Sequence, residues 1–252
     1  MKLSGKVAIV TGASRGIGKA IAIGFAKQGV EVVVAARTEV EKEGKLPGTI
    51  YKTAEEIQHL GQKVVPIKCD ITHEEDVQNM IEKVLEHFDH IDILVNNAGT
   101  AYYRPLIETP LRRWELVLAV NLTGAFLCSK AVLPSMVKQR CGSIINISSG
   151  AANDRLMTIA GVPYAVSKAA LERFTWGLAS EVGQFNIAVN AVKPVKWIAT
   201  EGVRSQRPNA GELDWGSPDK MVKSVVFLAA QDGKGVTGVV ATDEELCTWH
   251  GL

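Results

Sequence analysis

The chain has 252 residues, 46% of them hydrophobic and 22% charged, with a formal net charge of +1. Ordinary apolar content with almost no net charge excludes an intrinsically disordered chain, and a pI near 7.7 supplies no bulk attraction for nucleic acid. No apolar run is expected to approach the roughly 18 residues that a membrane span needs, and the basic N-terminus is followed by an apolar core too short for a secretory signal, so a soluble, cytoplasmic protein is expected.

In chain order, short β-branched runs at residues 7–10, 32–34, 64–67, 91–95, 143–147 and 187–192, with a weaker one at 236–240, alternate with longer stretches of helical period. Seven strands separated by helices imply parallel pairing through right-handed crossovers. The expected fold is therefore α/β, a doubly wound, seven-stranded parallel sheet with helices on both faces. Thr72, ahead of Glu74 and Glu75, reads as a helix N-cap. Residues 111–138 read as one long helix bent near its end by Pro134, and residues 164–182 as another, entered at Pro163. Residues 38–51 and 199–217 break the rhythm, and long connections of this kind are usually functional or mobile. Nothing reads as a linker, so residues 1–252 are expected to form one domain. Cys69, Cys128, Cys141 and Cys247 are scattered, without C-x-x-C or a histidine at ligand spacing, and read as buried free thiols.

The first strand runs into Thr11-Gly12-Ala13-Ser14-Arg15-Gly16-Ile17-Gly18 and then a helix. A dinucleotide's pyrophosphate must approach the backbone amides at a helix N-terminus, and side chains at the glycine positions would block it. Further along, Tyr164 and Lys168 are four residues apart on a helix and share a face. A free tyrosine titrates near about 10, and a neighbouring ammonium favours the phenolate and lowers that value.

The chain also carries Asn96-Asn97-Ala98-Gly99 after the fourth strand, Asn121 in the long helix, Ser148-Ser149 after the fifth strand and Tyr164-Ala165-Val166-Ser167-Lys168. With these motifs it resembles the short-chain dehydrogenase/reductase superfamily over nearly its whole length. The resemblance implies a Rossmann-type fold and hydride transfer between a nicotinamide cofactor and a carbonyl or secondary alcohol. It gives Tyr164 the proton transfer, Lys168 the nicotinamide ribose, Ser149 the substrate oxygen, and Asn121 a water that links Lys168 to solvent. It places Gly12, Ser14, Arg15, Gly16, Ile17, Gly18, Arg37, Thr38, Asp70, Ile71, Asn97, Ala98, Gly99, Pro194, Ile198 and Thr200 against the cofactor with Tyr164 and Lys168, Asp70 touching adenine.

Two departures stand out. Ser149 lies 15 residues before Tyr164 and Ser148 lies 16 before it, against about 13 in the family, which reads as an enlarged loop 150–161 beside the substrate. Ser149 is favoured over Ser148 because Ser148 follows Ile147 in strand alternation and points into the fold. After the sixth strand, Pro194-Val195-Lys196-Trp197-Ile198-Ala199-Thr200 lacks the family's usual glycine and is one residue longer. That segment and the insert at residues 45–57 resemble the hydroxysteroid-dehydrogenase-like branch, whose name is no evidence of a steroid substrate.

An enzyme that uses NAD typically ends its second strand with an acid that binds both ribose hydroxyls and repels a 2′-phosphate. Here Ala36 stands at that place, followed by Arg37 and Thr38. Arg37 and Arg15 read together as a two-guanidinium phosphate clamp, so the expected cofactor is NADP(H). His59, His73, His87, His90 and His250 fall away from these motifs, and neither a Ser-His-Asp hydrolase nor a metal centre is expected. The function expected is an NADP(H)-dependent oxidoreductase; the alternatives are an NADP-binding regulatory module without turnover and an NAD-preferring dehydrogenase. Tyr102, Tyr103, Leu156, Met157, Ile159, Trp197 and Trp215 read as pocket walls suited to an apolar or aromatic carbonyl compound, with Arg104, Arg155 and Arg204 scattered. Expected partners are that small molecule and further copies of the chain, as a homodimer or homotetramer that the resemblance pairs through residues 111–138 and 163–182. Nucleic acid and membrane are not expected partners.

Overall fold

The computed structural model describes residues 3–153, 161–206 and 215–252. Six strands, β1 (Val7–Thr11), β2 (Glu31–Ala36), β3 (Val64–Lys68), β4 (Ile93–Asn96), β5 (Gly142–Ile147) and β6 (Ile187–Lys193), follow the β-branched runs. Two short strands, β7 (Trp197–Ile198) and β8 (Trp215–Gly216), pair in a separate ribbon, and β9 (Val240–Thr242) closes the main sheet. The main sheet is parallel throughout, in the order β3-β2-β1-β4-β5-β6-β9.

The helices are α1 (Gly16–Ala26), α2 (Ile50–Gln58), α3 (Glu74–Phe88), α4 (Leu111–Leu118), α5 (Gly124–Gln139), α6 (Val162–Val182), α7 (Glu201–Gln206), α8 (Asp219–Ala229) and α9 (Asp243–His250). Alternate strand residues face opposite layers, which is why the strands are apolar along their whole length. Ala8, Val10, Val32 and Val34 join a core with Ile21, Phe25, Met221 and Leu228, whereas Val7, Ile9, Val33 and Leu94 join one with Met80, Val84, Val132 and Met136. Because β4 lies on the opposite side of β1 from β2, the chain reverses direction across the sheet there, and a crevice opens at the carboxyl ends of the strands.

Several local expectations are corrected. His73, not Thr72, stands at the N-cap of α3, and the Thr72 hydroxyl instead donates to Asp70 Oδ1 at 2.8 Å. Part of the irregular stretch 38–51 is helical, since Thr49 caps α2 by accepting from the Lys52 amide at 3.1 Å. The long helix is interrupted: a π turn, Ala119–Thr123, joins α4 to α5. That composite helix, Leu111–Gln139, is long and apolar enough by length and composition to cross a membrane, against the expectation that no apolar run approaches that length. Half of its apolar window is buried inside the fold, where Leu127, Val132 and Met136 pack on the sheet.

The last strand lies later than residues 236–240. Gly238 adopts φ +72 there, and the Asn190 side chain, which bonds the Val236 carbonyl at 2.8 Å and the Val239 amide at 3.0 Å, adds to the backbone bonds from the Gly238 amide to the Val189 carbonyl and from the Ala191 amide to the Val239 carbonyl, both at 2.8 Å, that lead into β9. Cys69 and Cys128 are buried free thiols, but Cys141 and Cys247, also free, are only half-buried.

Candidate active site

β1 hands the chain to α1 through Gly12 (φ +67) and Gly16 (φ +59), conformations that favour glycine. A Cβ at Gly12 would lie 2.8 Å from the Ala98 Cα, so the glycine turn and the segment after β4 touch backbone to backbone. Asn97 fixes this contact, with Nδ2 donating to the Thr11 carbonyl at 2.8 Å. Thr11 Oγ1 accepts from the Asn97 and Ala98 amides at 3.1 and 3.2 Å. The turn thus holds the N-terminus of α1, with its amides and positive dipole end, open to an anion.

The two arginines do not form a shared clamp. Arg15 donates from Nε to the Pro47 carbonyl at 2.7 Å and from Nη2 to the Gly48 carbonyl at 2.8 Å, fastening the insert after β2 to the glycine turn. Arg37 is exposed beyond Ala36, with Nη1 3.4 Å from Asp70 Oδ2. Burial pushes the Asp70 carboxyl up, but the Thr72 hydroxyl and amide and the Arg37 charge outweigh it and hold the group below its ordinary value. Asp70 is therefore both a turn former and a wall of the crevice.

The catalytic candidates meet where β5 ends and α6 begins. Ser149 is half-buried, and its hydroxyl hydrogen-bonds Tyr164. Ser148 points inward, its Oγ donating to Glu172 Oε1 at 2.7 Å. Lys168 is buried, donates from Nζ to the Ile147 carbonyl at 2.7 Å, and lies 5.8 Å from the Tyr164 ring centroid. The expected net lowering of the phenol does not appear, because burial is the largest influence on it. Burial pushes Tyr164 up to about 12, opposed by the Ser149 hydrogen bond and reinforced by Tyr103. Burial also brings Lys168 down to about 8, and the negative charge of Glu172 opposes that fall. Asn121 occupies the π turn and is buried, its Nδ2 donating to the Thr100 carbonyl and to Ser167 Oγ, both at 2.9 Å, while its Oδ1 accepts from the Thr100 amide at 2.8 Å. Its side chain ties the loop after β4 to α6.

Both halves open on one cavity of about 860 Å³. Every residue expected to bind the cofactor lines it, as does Ser149, while Asn121 sits behind its wall. This volume lies in the range of ligand and cofactor sites, and the glycines leave its backbone rim closely packed, since an added Cβ would meet Ala98 at Gly12, Asn97 at Gly18 and the cavity-lining Thr200 at Gly16. The residues fit a nicotinamide dinucleotide: the Gly12 to Gly18 turn to hold its pyrophosphate, Arg37 and Asp70 its adenosine end, Lys168 its nicotinamide ribose. Of the expected substrate walls, Tyr103 and Trp197 line the cavity. Tyr102 carries the Arg113 guanidinium 5.5 Å from its ring centroid, and Trp215 pairs with Trp197 in the β7–β8 ribbon. Arg155, Leu156, Met157 and Ile159 lie outside the described residues. Sequence reasoning missed Leu46 and Lys193, which also line the cavity, and Glu172 beneath it. The signal for Glu172 was its place one turn beyond Lys168, continuing the spacing that singled out Tyr164.

Residues 6–210 match the model of the short chain dehydrogenase family. The chain is 36% identical over 251 residues to hydroxysteroid dehydrogenase-like protein 2 of Bos taurus and 38% identical over 254 residues to that of Danio rerio. These matches cover all of this chain but 59% and 60% of the relatives, so the chain spans about three-fifths of their length. Among solved structures it is similar to a Xanthomonas campestris protein assigned as a dehydrogenase, with a TM-score of 0.91, 33% identity and coverage of 100% of this chain and 92% of that one. It is also similar to a Beutenbergia cavernae protein assigned as an NAD(P)-dependent gluconate 5-dehydrogenase, whose crystal holds NADP at low occupancy, with a TM-score of 0.85, 32% identity and coverage of 96% of each chain.

Proposed function

The chain belongs to the short-chain dehydrogenase family, and from that premise we propose that it is an NADP(H)-dependent oxidoreductase acting on an apolar or aromatic carbonyl compound or the corresponding secondary alcohol. One observation carries this reading: Ser149, Tyr164 and Lys168 line the same cavity as the glycine turn. The nicotinamide, when bound, supplies or accepts the hydride. Ser149 and Tyr164 hydroxyls bond the substrate oxygen, and Tyr164 gives it a proton in the reducing direction. The Lys168 ammonium then favours the phenolate left behind. Ala36 and the exposed Arg37 support a preference for the 2′-phosphate, and Tyr103 and Trp197 support an apolar substrate. The active assembly in this reading is a homodimer or homotetramer.

The test is a ladder of aliphatic and aryl ketones assayed with NADPH and with NADH. NADPH is expected to serve better, and kcat/KM to rise stepwise with length, since burial contributes about 25 cal/mol per Å². A flat or falling series with good activity on a small anionic carbonyl overturns the apolar pocket. Nucleotide binding by folded protein without turnover of any carbonyl overturns the enzyme. Tyr164→Phe should lower kcat by roughly 10²–10⁴-fold while leaving nucleotide affinity in place.

A further inference from the structure

Beneath Tyr164 and Lys168 lies a second ionic layer that the proposed reaction does not use. Glu172 follows Lys168 by one turn of α6, which sets both on the same side of the helix. Its Oε1 accepts from Ser148 Oγ at 2.7 Å and from Lys193 Nζ at 2.9 Å. The three groups are almost fully buried: Ser148 is 3% exposed, and Glu172 and Lys193 are 6% exposed each. Ser148 and Lys193 come from the ends of β5 and β6, directly beside Ser149 and Pro194, so one carboxylate ties together three segments that line the cavity.

Lys168 is itself only 4% exposed, and it donates a hydrogen bond to a neutral carbonyl, that of Ile147. A buried ammonium without a counter-charge gives up its proton. The ionisable groups around this layer are Tyr164 on α6 with Tyr103 beyond it, and Lys193 on β6 with Glu245 of α9 beyond it. Glu172 is the acid whose field acts on Lys168, opposing the effect of burial.

We propose that Glu172, steadied by Ser148 and Lys193, is a positioning residue whose carboxylate keeps the Lys168 ammonium protonated and thereby sets the upper pH limit of proton transfer from Tyr164. Its part in the reaction rests on the oxidoreductase reading; its effect on Lys168 does not. Lys193 acts in the opposite sense, because it shares the carboxylate's charge, and its removal leaves Glu172 wholly to Lys168.

The experiment is a direct titration of Lys168 by NMR in protein labelled with 13C at lysine Cε, the signal assigned with Lys168→Met. Glu172→Gln is expected to lower the midpoint by about one pH unit or more. Glu172→Asp, which keeps a carboxylate, should recover part of that shift, and Lys193→Met should raise the midpoint. The alkaline fall of kcat for ketone reduction should move with the midpoint in each variant. A buried lysine left without its partner is strongly destabilising, and Glu172→Gln strands Lys193 in that way. In the double variant E172Q/K193M, with no stranded charge, the two opposing effects leave together, so its midpoint is expected to lie below that of Lys193→Met alone. An unchanged midpoint in the folded Glu172→Gln variant overturns the proposal, as does a double variant whose midpoint equals that of Lys193→Met, or a downward shift in Lys193→Met. Should no ketone be turned over, the titration still decides the matter.

Discussion

Arg37 stands at the open edge of the crevice with 64% of its side chain exposed, near enough to Asp70 for one long hydrogen bond and otherwise turned to solvent. A 2′-phosphate there would gain a charge-assisted bond, an interaction of about 1.5–3 kcal/mol. Arg37→Asp should therefore weaken NADPH binding by roughly ten- to a hundredfold, read as Kd by fluorescence quenching, and leave NADH almost unaffected. Equal losses for both nucleotides would make Arg37 structural. The residues legible in the sequence were those whose chemistry is local: glycines spaced across one turn, and Tyr164 and Lys168 one helical turn apart. Illegible were the residues whose partners come from distant segments. Arg15 reaches carbonyls 32 and 33 positions away, and Glu172 meets hydroxyl and ammonium groups 24 and 21 positions away. Only the closed fold could show that the first guanidinium is engaged with a loop and that the carboxylate has a buried cation to neutralise.

The π turn between α4 and α5 is the element with most influence on the site, because it carries Asn121 between the loop after β4 and α6. Hydrophobic periodicity registers a helix of 3.6 residues per turn and passes over one wider turn, so the sequence read a continuous rod bent at Pro134. The last strand was placed too early because residues 236–239 meet β6 partly through the Asn190 side chain and turn at a left-handed Gly238 before the regular pairing of β9 begins. Gly124, the first residue after the π turn, has no room for a side chain: an added Cβ would lie 2.5 Å from Ile71 Cδ1 and 3.1 Å from the Ile71 backbone oxygen. Gly124→Ala is expected to cost about 1–3 kcal/mol of stability by urea unfolding, since a backbone atom cannot step aside as a flexible side chain can. A neutral or stabilising substitution would mean that α5 slides freely on the segment after β3.

At the scale of the whole molecule, the alternation of strands and helices was enough to foresee the parallel sheet, because right-handed crossovers leave few alternatives. The helices named for self-association keep large apolar side chains in solvent, Phe126 at 46% and Trp176 at 47% exposed among them. Static light scattering should report a dimer or larger species, and the double variant F126E/W176E a monomer; wild-type protein monomeric at micromolar concentration would defeat the assembly. The crevice, for its part, draws its walls from both halves of one continuous sheet, the glycine turn and β2 end on one side and Ser149, Tyr164 and Pro194 on the other. A ligand seated there is linked to the unfolding of the entire domain rather than of one half. Nucleotide at about 100 times its Kd should add about 2.7 kcal/mol, a rise in Tm of roughly 5–10 °C for a chain of this size, with calorimetry showing one cooperative transition throughout. The gap between the NADPH and NADH shifts then measures cofactor preference without any substrate, and a melt that splits so that only one step moves would reveal two halves that come apart separately.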